Sequence, residues 1–251
     1  MSVGSERKDL GQCRAYLVSQ SEGQKWSSSL TGQVEPGPAV TISSQTGAGA
    51  HEVAHCLAAI LQKEMPGGRS AWTVFDRQLV EKVLEEHHLP KALAKYMPEE
   101  RRSFIKDVMD ELVGLRPPSG VIVPQIAETV LNLAEAGRVI LVGRGAGFIT
   151  ARMPNVFHVR LVASLPRRIE RVQQAENLSP REAARFIARS DRSSGGYAKA
   201  HFHVRVADEL QYHLVLNTDR IPPLDAAELI ASGAQRRFQN ALQGQQHRLA
   251  A

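Results

Sequence analysis

Two chemistries overlap in one stretch, Ala39-Val-Thr-Ile-Ser-Ser-Gln-Thr-Gly-Ala-Gly-Ala-His-Glu-Val-Ala-His55. Gly47 and Gly49 stand between an apolar, β-branched run and an apolar-periodic segment that reaches Leu61. Strand, glycine turn and helix in that order suit an anion. Glycines let backbone N–H groups approach a phosphate closely, and the helix start adds unpaired donors and a positive dipole end. The same letters spell His51-Glu-Val-Ala-His55, the H-E-x-x-H pattern that sets two imidazoles one turn apart for zinc, with the glutamate as base. Zinc also needs a third protein ligand. The extended pattern fails at Ala58 and Leu61, which hold the places of its glycine and third histidine, and leaves Glu81 or Glu85 as donors. A zinc-dependent hydrolase using His51, Glu52 and His55 is therefore the rival of a phosphate site.

The remaining reactive side chains follow apolar runs. After Trp72–Asp76 come Asp76 and Arg77, and after Arg138–Gly143 come Arg144 and Gly145. Ser164, Arg167 and Arg168 follow Val156–Ala163; Asn217, Thr218, Asp219 and Arg220 follow Tyr212 to Asn217. An arginine behind a buried strand must find an anion, and guanidinium forks match phosphate oxygens. Arg167, Arg168 and Arg171 share one helix, and for one or two of them a solvated face is the simpler account. Asp76 suits a helix N-cap, and a role in orienting a metal or acceptor besides.

The elements that must position these groups are five short apolar strands, the first beginning at Ala39, separated by helices. They predict an α/β fold with a five-stranded parallel sheet covered on both faces, whose ligands sit at the carboxyl ends of the strands. Helices are expected over Gln78–Glu86, Glu99–Leu115, Val123–Ala136, Leu165–Ala175, Ser179–Arg189 and from Leu224 through Phe238. Ser179, Pro180 and Glu182 form a capping box with proline at the first helical position. Asp9–Ser19 reads as a short amphipathic helix with Leu10, Cys13, Tyr16 and Leu17 on one side. Residues 1–38 are expected to be an arm and linker, 39–238 the main domain, and 239–251 a tail.

A net charge of +5 fits an anionic ligand, but aromatic content of 5% without basic–aromatic interleaving argues against nucleic acid. No apolar run approaches a membrane span, and Met1–Leu10 has no apolar core, so neither membrane nor secretory signal is expected. Two cysteines, Cys13 and Cys56, are too few for a disulfide framework and point to a reducing cytoplasm. His87-His88 and Cys56 read as structural or surface residues. Tyr197, His201 and Phe202 read as packing.

The set Thr41-Ile-Ser43, Gly47-Ala-Gly49, Phe75-Asp-Arg77, Val142-Gly-Arg-Gly-Ala146, Asp191-Arg192, Tyr197 and Leu216-Asn-Thr-Asp-Arg220 resembles the cytidylate-kinase-like family of P-loop nucleoside-monophosphate kinases. The resemblance runs from about Ala39 to Ile230. It implies a three-layer P-loop fold with a helical acceptor-binding insertion at about 89–118 and a lid at about 179–205. It also implies transfer of the ATP γ-phosphoryl group to a nucleoside monophosphate or related small acceptor, with Mg²⁺. Ser44, Gln45, Thr46, Gly47, Ala48, Gly49 and Ala50 would cradle the donor phosphates, with His51 at the helix start. Arg144 would hold the acceptor's phosphate, and Arg185, Arg189 and Arg192 would close from the lid; no side chain is assigned as a metal ligand. The chain departs from the pattern at Ala50, the place of the phosphate-binding lysine, and at His51 and Glu52, where a Mg²⁺-binding hydroxyl is expected. Ser44 stands where relatives carry arginine, and Ser193-Ser-Gly-Gly196 occupies an arginine-rich stretch of the lid. A nucleotide-binding pseudokinase that senses or scaffolds is the alternative within the same fold.

Overall fold

The structure, a computed structural model, describes residues 12, 13, 15, 16, 19, 36–67, 70–76, 122–143 and 145–249. Arg77, Glu81, Glu85, His87, His88, Arg144, the 78–86 and 99–115 helices and the 89–118 insertion lie outside these residues.

Alternation of side chains along each strand builds the layers. β1 (Ala39–Ser44) turns Val40 and Ile42 toward α1 (Ala50–Glu64), where Val53, Ala54, Leu57 and Leu61 are fully buried. Each of the valine, leucine and isoleucine side chains contributes about 1.5–3 kcal/mol by leaving water. β2 (Thr73–Phe75) comes next, then α2 (Ile122–Ala136), whose buried Val130, Leu131 and Leu133 cover the other face of the sheet with Ala39, Val139 and Leu141. β3 (Val139–Val142), the single-turn α3 (Ala146–Ile149) and β4 (Val156–Val162) follow. α4 (Leu165–Glu176) and α5 (Pro180–Phe202) lead through a 3₁₀ turn at Glu209–Gln211 to β5 (Leu214–Asn217) and α6 (Pro223–Leu249).

The five strands form one parallel sheet in the order β2-β3-β1-β4-β5. Ala39 pairs with both Val139 and Val156, and Val159 with Leu214. β1 is therefore central, and the turn after it opens at the carboxyl edge between β3 and β4. The parallel α/β architecture expected from the apolar runs is the one observed. Among the described residues no helix is long and apolar enough to cross a membrane.

α4 and α5 form a hairpin with a small apolar cluster of its own, in which Val172, Ala183 and Ile187 are buried. The Ser179–Glu182 capping box is present, with Ser179 N–H donating to Glu182 Oε2 at 3.0 Å. The helix it starts does not stop at Arg189 as expected. It runs on through Ser193-Ser-Gly-Gly196 to Phe202. Two glycines cost a helix interior about 1 kcal/mol each, and tertiary packing outweighs that cost: Ala198 is buried, and Tyr197 and Phe202 close over Gly145. Near the amino terminus Gln12, Cys13, Ala15, Tyr16 and Ser19 are helical. Cys13 and Tyr16 are buried in the core, where Tyr16 meets Phe75 edge-on and donates its hydroxyl to Gly137 O.

Candidate functional site

The turn between β1 and α1 is held from three sides. Gln45 N–H donates to Leu161 O at 3.1 Å, and its Oε1 accepts Ala163 N–H at 2.9 Å, so the start of the turn is stitched to β4. Ala48 N–H closes the turn on Gln45 O, and Ala48 O accepts the buried Thr218 hydroxyl at 3.0 Å, which ties it to the end of β5. Gly47 has φ 83°, and a Cβ there would lie 2.8 Å from Arg168 O. Only glycine fits, both in backbone conformation and in the approach of the turn to α4. Gly49 is the left-handed N-cap of α1 and offers no side-chain cap. The first amides of α1, at Ala50, His51 and Glu52, have no intrahelical acceptor and stand at the positive end of the helix dipole.

Two arginines of α4 reach this turn. Arg168, 8% exposed, pairs with Asp191 of α5 at 2.6 Å and lies 3.3 Å from Thr46 O. Arg171 donates to Thr218 Oγ1 at 3.0 Å and Thr218 O at 2.8 Å, with Gly47 O at 3.5 Å. Asp191 Oδ1 accepts the Thr46 amide at 2.9 Å, and Thr46 Oγ1 donates to Ser190 Oγ at 2.9 Å. Burial alone would raise the Asp191 pKa, but the Thr46 amide and the Arg168 guanidinium outweigh it and hold the carboxyl below its ordinary value. The α4–α5 hairpin is thus latched to the glycine turn through one carboxylate. Arg167 instead pairs with Glu170 on the solvent side, so the solvated-face account holds for it and not for Arg168.

Ser44, Gln45, Thr46, Gly47, Ala48, Gly49, Ala50 and His51 lie together along the turn, and Asp76 directly follows β2. Arg185, Arg189 and Arg192 are exposed on α5 and make no hydrogen bond to the turn; Arg144 falls between Gly143 and Gly145, outside the described residues. His51 Nε2 and His55 Nε2 are 3.1 Å apart with the rings edge-on. Among the described residues no group of three His, Cys, Asp or Glu gathers around them.

Two adjoining cavities open beside the turn. One, of about 270 Å³, lies between the ends of β1 and β3 and α5, against Ser43, Thr46, Gly145, Phe148, Tyr197 and Tyr212. Gly145 has φ 70°, and a Cβ there would strike the Phe202 ring at 2.7 Å, so glycine sets the wall of this cavity. The other, of about 290 Å³, lies between β4 and the carboxyl half of α5 and is lined by Arg160, Lys199 and Arg205 among others. The sequence marks Arg168 and Thr218 behind strands and Arg171 on the same helix as Arg168 without assigning them to the turn, and it passes over Arg160. The i, i+3 spacing of Arg168 and Arg171 behind β4 was the legible signal for two of them.

A family model described as the cytidylate kinase-like family matches residues 39–220. No curated protein matches the chain. Among solved structures, an uncharacterized protein from Eubacterium ventriosum is 16% identical with a TM-score of 0.52, over 79% of this chain and 98% of that one. A shikimate kinase from Bacteroides thetaiotaomicron is 18% identical with a TM-score of 0.41, over 82% of this chain and 98% of that one. A shikimate kinase from Acinetobacter baumannii in complex with shikimate is 16% identical with a TM-score of 0.36, over 84% and 96% of the two chains.

Proposed function

This chain belongs to the cytidylate kinase-like family, and from that premise we propose that it transfers the γ-phosphoryl group of ATP to a small phosphorylated acceptor in the cytoplasm, a nucleoside monophosphate being the first to try. An oxygen of the acceptor forms the new bond to the γ-phosphorus, the bond to the β,γ-bridging oxygen breaks, and ADP leaves. Such a reaction needs positioning and neutralisation of charge more than covalent help.

One observation carries the proposal: a turn that only glycine can form, pressed against the Arg168 backbone at Gly47, presents the start of α1 at the open edge of the central strand. The first-turn amides and Arg171 would hold the donor phosphates, and Arg144 the acceptor. The cavity between Phe148, Tyr197 and Tyr212 suits the acceptor's body. For Mg²⁺ the test is donor chemistry. His51 stands where a hydroxyl would, and nitrogen is a poor ligand for this ion; the hard oxygens Thr46 Oγ1 and the Asp76 carboxylate follow β1 and β2, which β3 separates. These two do not make one Mg²⁺ site, so the ion would enter with the nucleotide and neutralise charge developing on the transferred group. Ala50, with no lysine at the start of α1, favours a second reading in which nucleotide binds without turnover.

The test is ADP formation from MgATP across a panel of ribo- and deoxynucleoside monophosphates, with Arg144→Ala as control. Acceptor-dependent turnover that the substitution abolishes is the expected result. Nucleotide binding without turnover for any acceptor would leave the pseudokinase; neither binding nor turnover would overturn both.

A further inference from the structure

β4 carries a cation where a strand inside a parallel sheet ordinarily carries an aliphatic side chain. Arg160 is 8% exposed and pairs in register with Ser43 of β1. Its Nη1 donates to Ser43 Oγ at 2.8 Å, and its guanidinium carbon lies 5.6 Å from the centre of the Tyr212 ring. Tyr212 in turn lies 3.3 Å from Ser43 Oγ and donates to Val206 O at 3.0 Å. These contacts orient the guanidinium; none of them cancels its charge. Among the described residues no carboxylate stands within ion-pair distance of Arg160. A buried cation without an anion is costly, so the position calls for an anion from outside the chain.

The space that Arg160 lines has a volume of about 290 Å³ and adds Lys199 and Arg205 to the same wall. Among the described residues that line it the one carboxylate is Asp191, which is engaged by Arg168 and the Thr46 amide. Ser44, Ser194 and Val206 line both this space and the neighbouring cavity against Phe148 and Tyr197. The two spaces therefore adjoin along these three residues, between the aromatic wall and the cations. We propose that Arg160, with Lys199 and Arg205, forms an oxyanion site beside the glycine turn but distinct from the first-turn amides of α1, and that it takes the phosphate monoester of the acceptor. The assignment to an acceptor rests on the kinase reading; the oxyanion site itself does not. Arg160 offers the rest of its guanidinium fork to the phosphate, while Lys199 and Arg205, both exposed, adjust to its shape.

Calorimetric titration of the full chain with inorganic phosphate at low salt tests the site, on wild type, Arg160→Gln and His51→Asp. The last puts a carboxylate in the first turn of α1, which tolerates acidic residues and repels phosphate from the turn. Arg160→Gln is expected to weaken one class of phosphate binding by about tenfold or more, and His51→Asp to leave that class in place. Phosphate binding unchanged in Arg160→Gln would overturn the proposal, as would its complete loss in His51→Asp alone. Loss in Arg160→Gln with no effect of His51→Asp would keep the oxyanion site and sink the glycine turn as a phosphate site. Lys199→Ala/Arg205→Ala, at exposed positions, guards against a folding defect in Arg160→Gln: the pair is expected to weaken phosphate several-fold, and unchanged affinity counts against the site. Nucleoside monophosphates are then competed against phosphate. Displacement in wild type that is lost in Arg160→Gln assigns the site to the acceptor; phosphate held at Arg160 that no monoester displaces overturns that assignment.

Discussion

His158 lies two residues before Arg160 on the same face of β4, and its imidazole makes the sheet sensitive to acid. Burial pushes its pKa from 6.5 down to about 3, with His213 and Arg237 acting in the same direction. Thr41 Oγ1 lies 2.8 Å from its Nδ1, and the ring stacks on His213 at 5.0 Å. Between the two values the unfolded chain takes up a proton that the folded chain refuses, so stability falls as pH falls through that window and is fully present above it. For this one group the loss between about pH 7.5 and about pH 5.5 is about 1.4 kcal/mol, rising to about 2.7 kcal/mol by about pH 4.5. His213, also lowered by burial and by Arg237, adds to the loss. His158→Asn keeps a hydrogen-bonding amide near Thr41 and removes the titration. Urea unfolding of both proteins across this range should show wild type losing about 1.4 kcal/mol more than the variant over the first two pH units. Parallel pH dependences would refute a neutral, buried imidazole at this position. The functional consequence is local: a charged His158 would set a second cation beside Arg160 beneath the proposed acceptor.

Asp191→Asn should destabilise the chain by about 1–3 kcal/mol in urea unfolding, because Arg168 is left buried with one partner fewer. It should also weaken MgATP binding, because the latch that orders the turn is lost. Gly47→Ala should cost about 1–3 kcal/mol, since the left-handed conformation and the Arg168 carbonyl both oppose a Cβ; thermal unfolding reads it directly. Arg171→Met, at a residue tied to Thr218 and near Gly47, is expected to raise the MgATP dissociation constant about tenfold while shifting the melting temperature little.

The sheet was legible because Val139–Val142 and Val156–Val162 are apolar runs too short for helices, rich in β-branched residues and flanked by turn residues. Gly47 and Gly49 marked the turn for the same kind of reason, since their places need a conformation other residues resist. What stayed hidden depends on neighbours distant in sequence. Ser193-Ser-Gly-Gly196 has the composition of a loop, and packing of Tyr197 and Phe202 against the 145–148 segment, with Ala198 buried, carries the helix through it. Arg168 and Arg167 are adjacent in sequence, yet one is buried on Asp191 and the other lies in solvent. Their difference is set by the rotation of α4 about its axis relative to the turn. Arg160 sat inside an apolar run as though it were one polar exception, and its meaning came from the cations that α5 and the following loop bring to it. Cys13 and Tyr16 fell on the predicted face of a short helix, but nothing local said that this face docks beside Phe75.

The glycine turn as the seat of the donor phosphates is the central claim, and titration calorimetry with MgATP tests it most directly. Wild type should bind saturably, and His51→Asp, with an intact fold by circular dichroism, should bind about tenfold more weakly or worse, as expected for a carboxylate placed among the amides that face the phosphates. Equal affinity in the two proteins would contradict the claim.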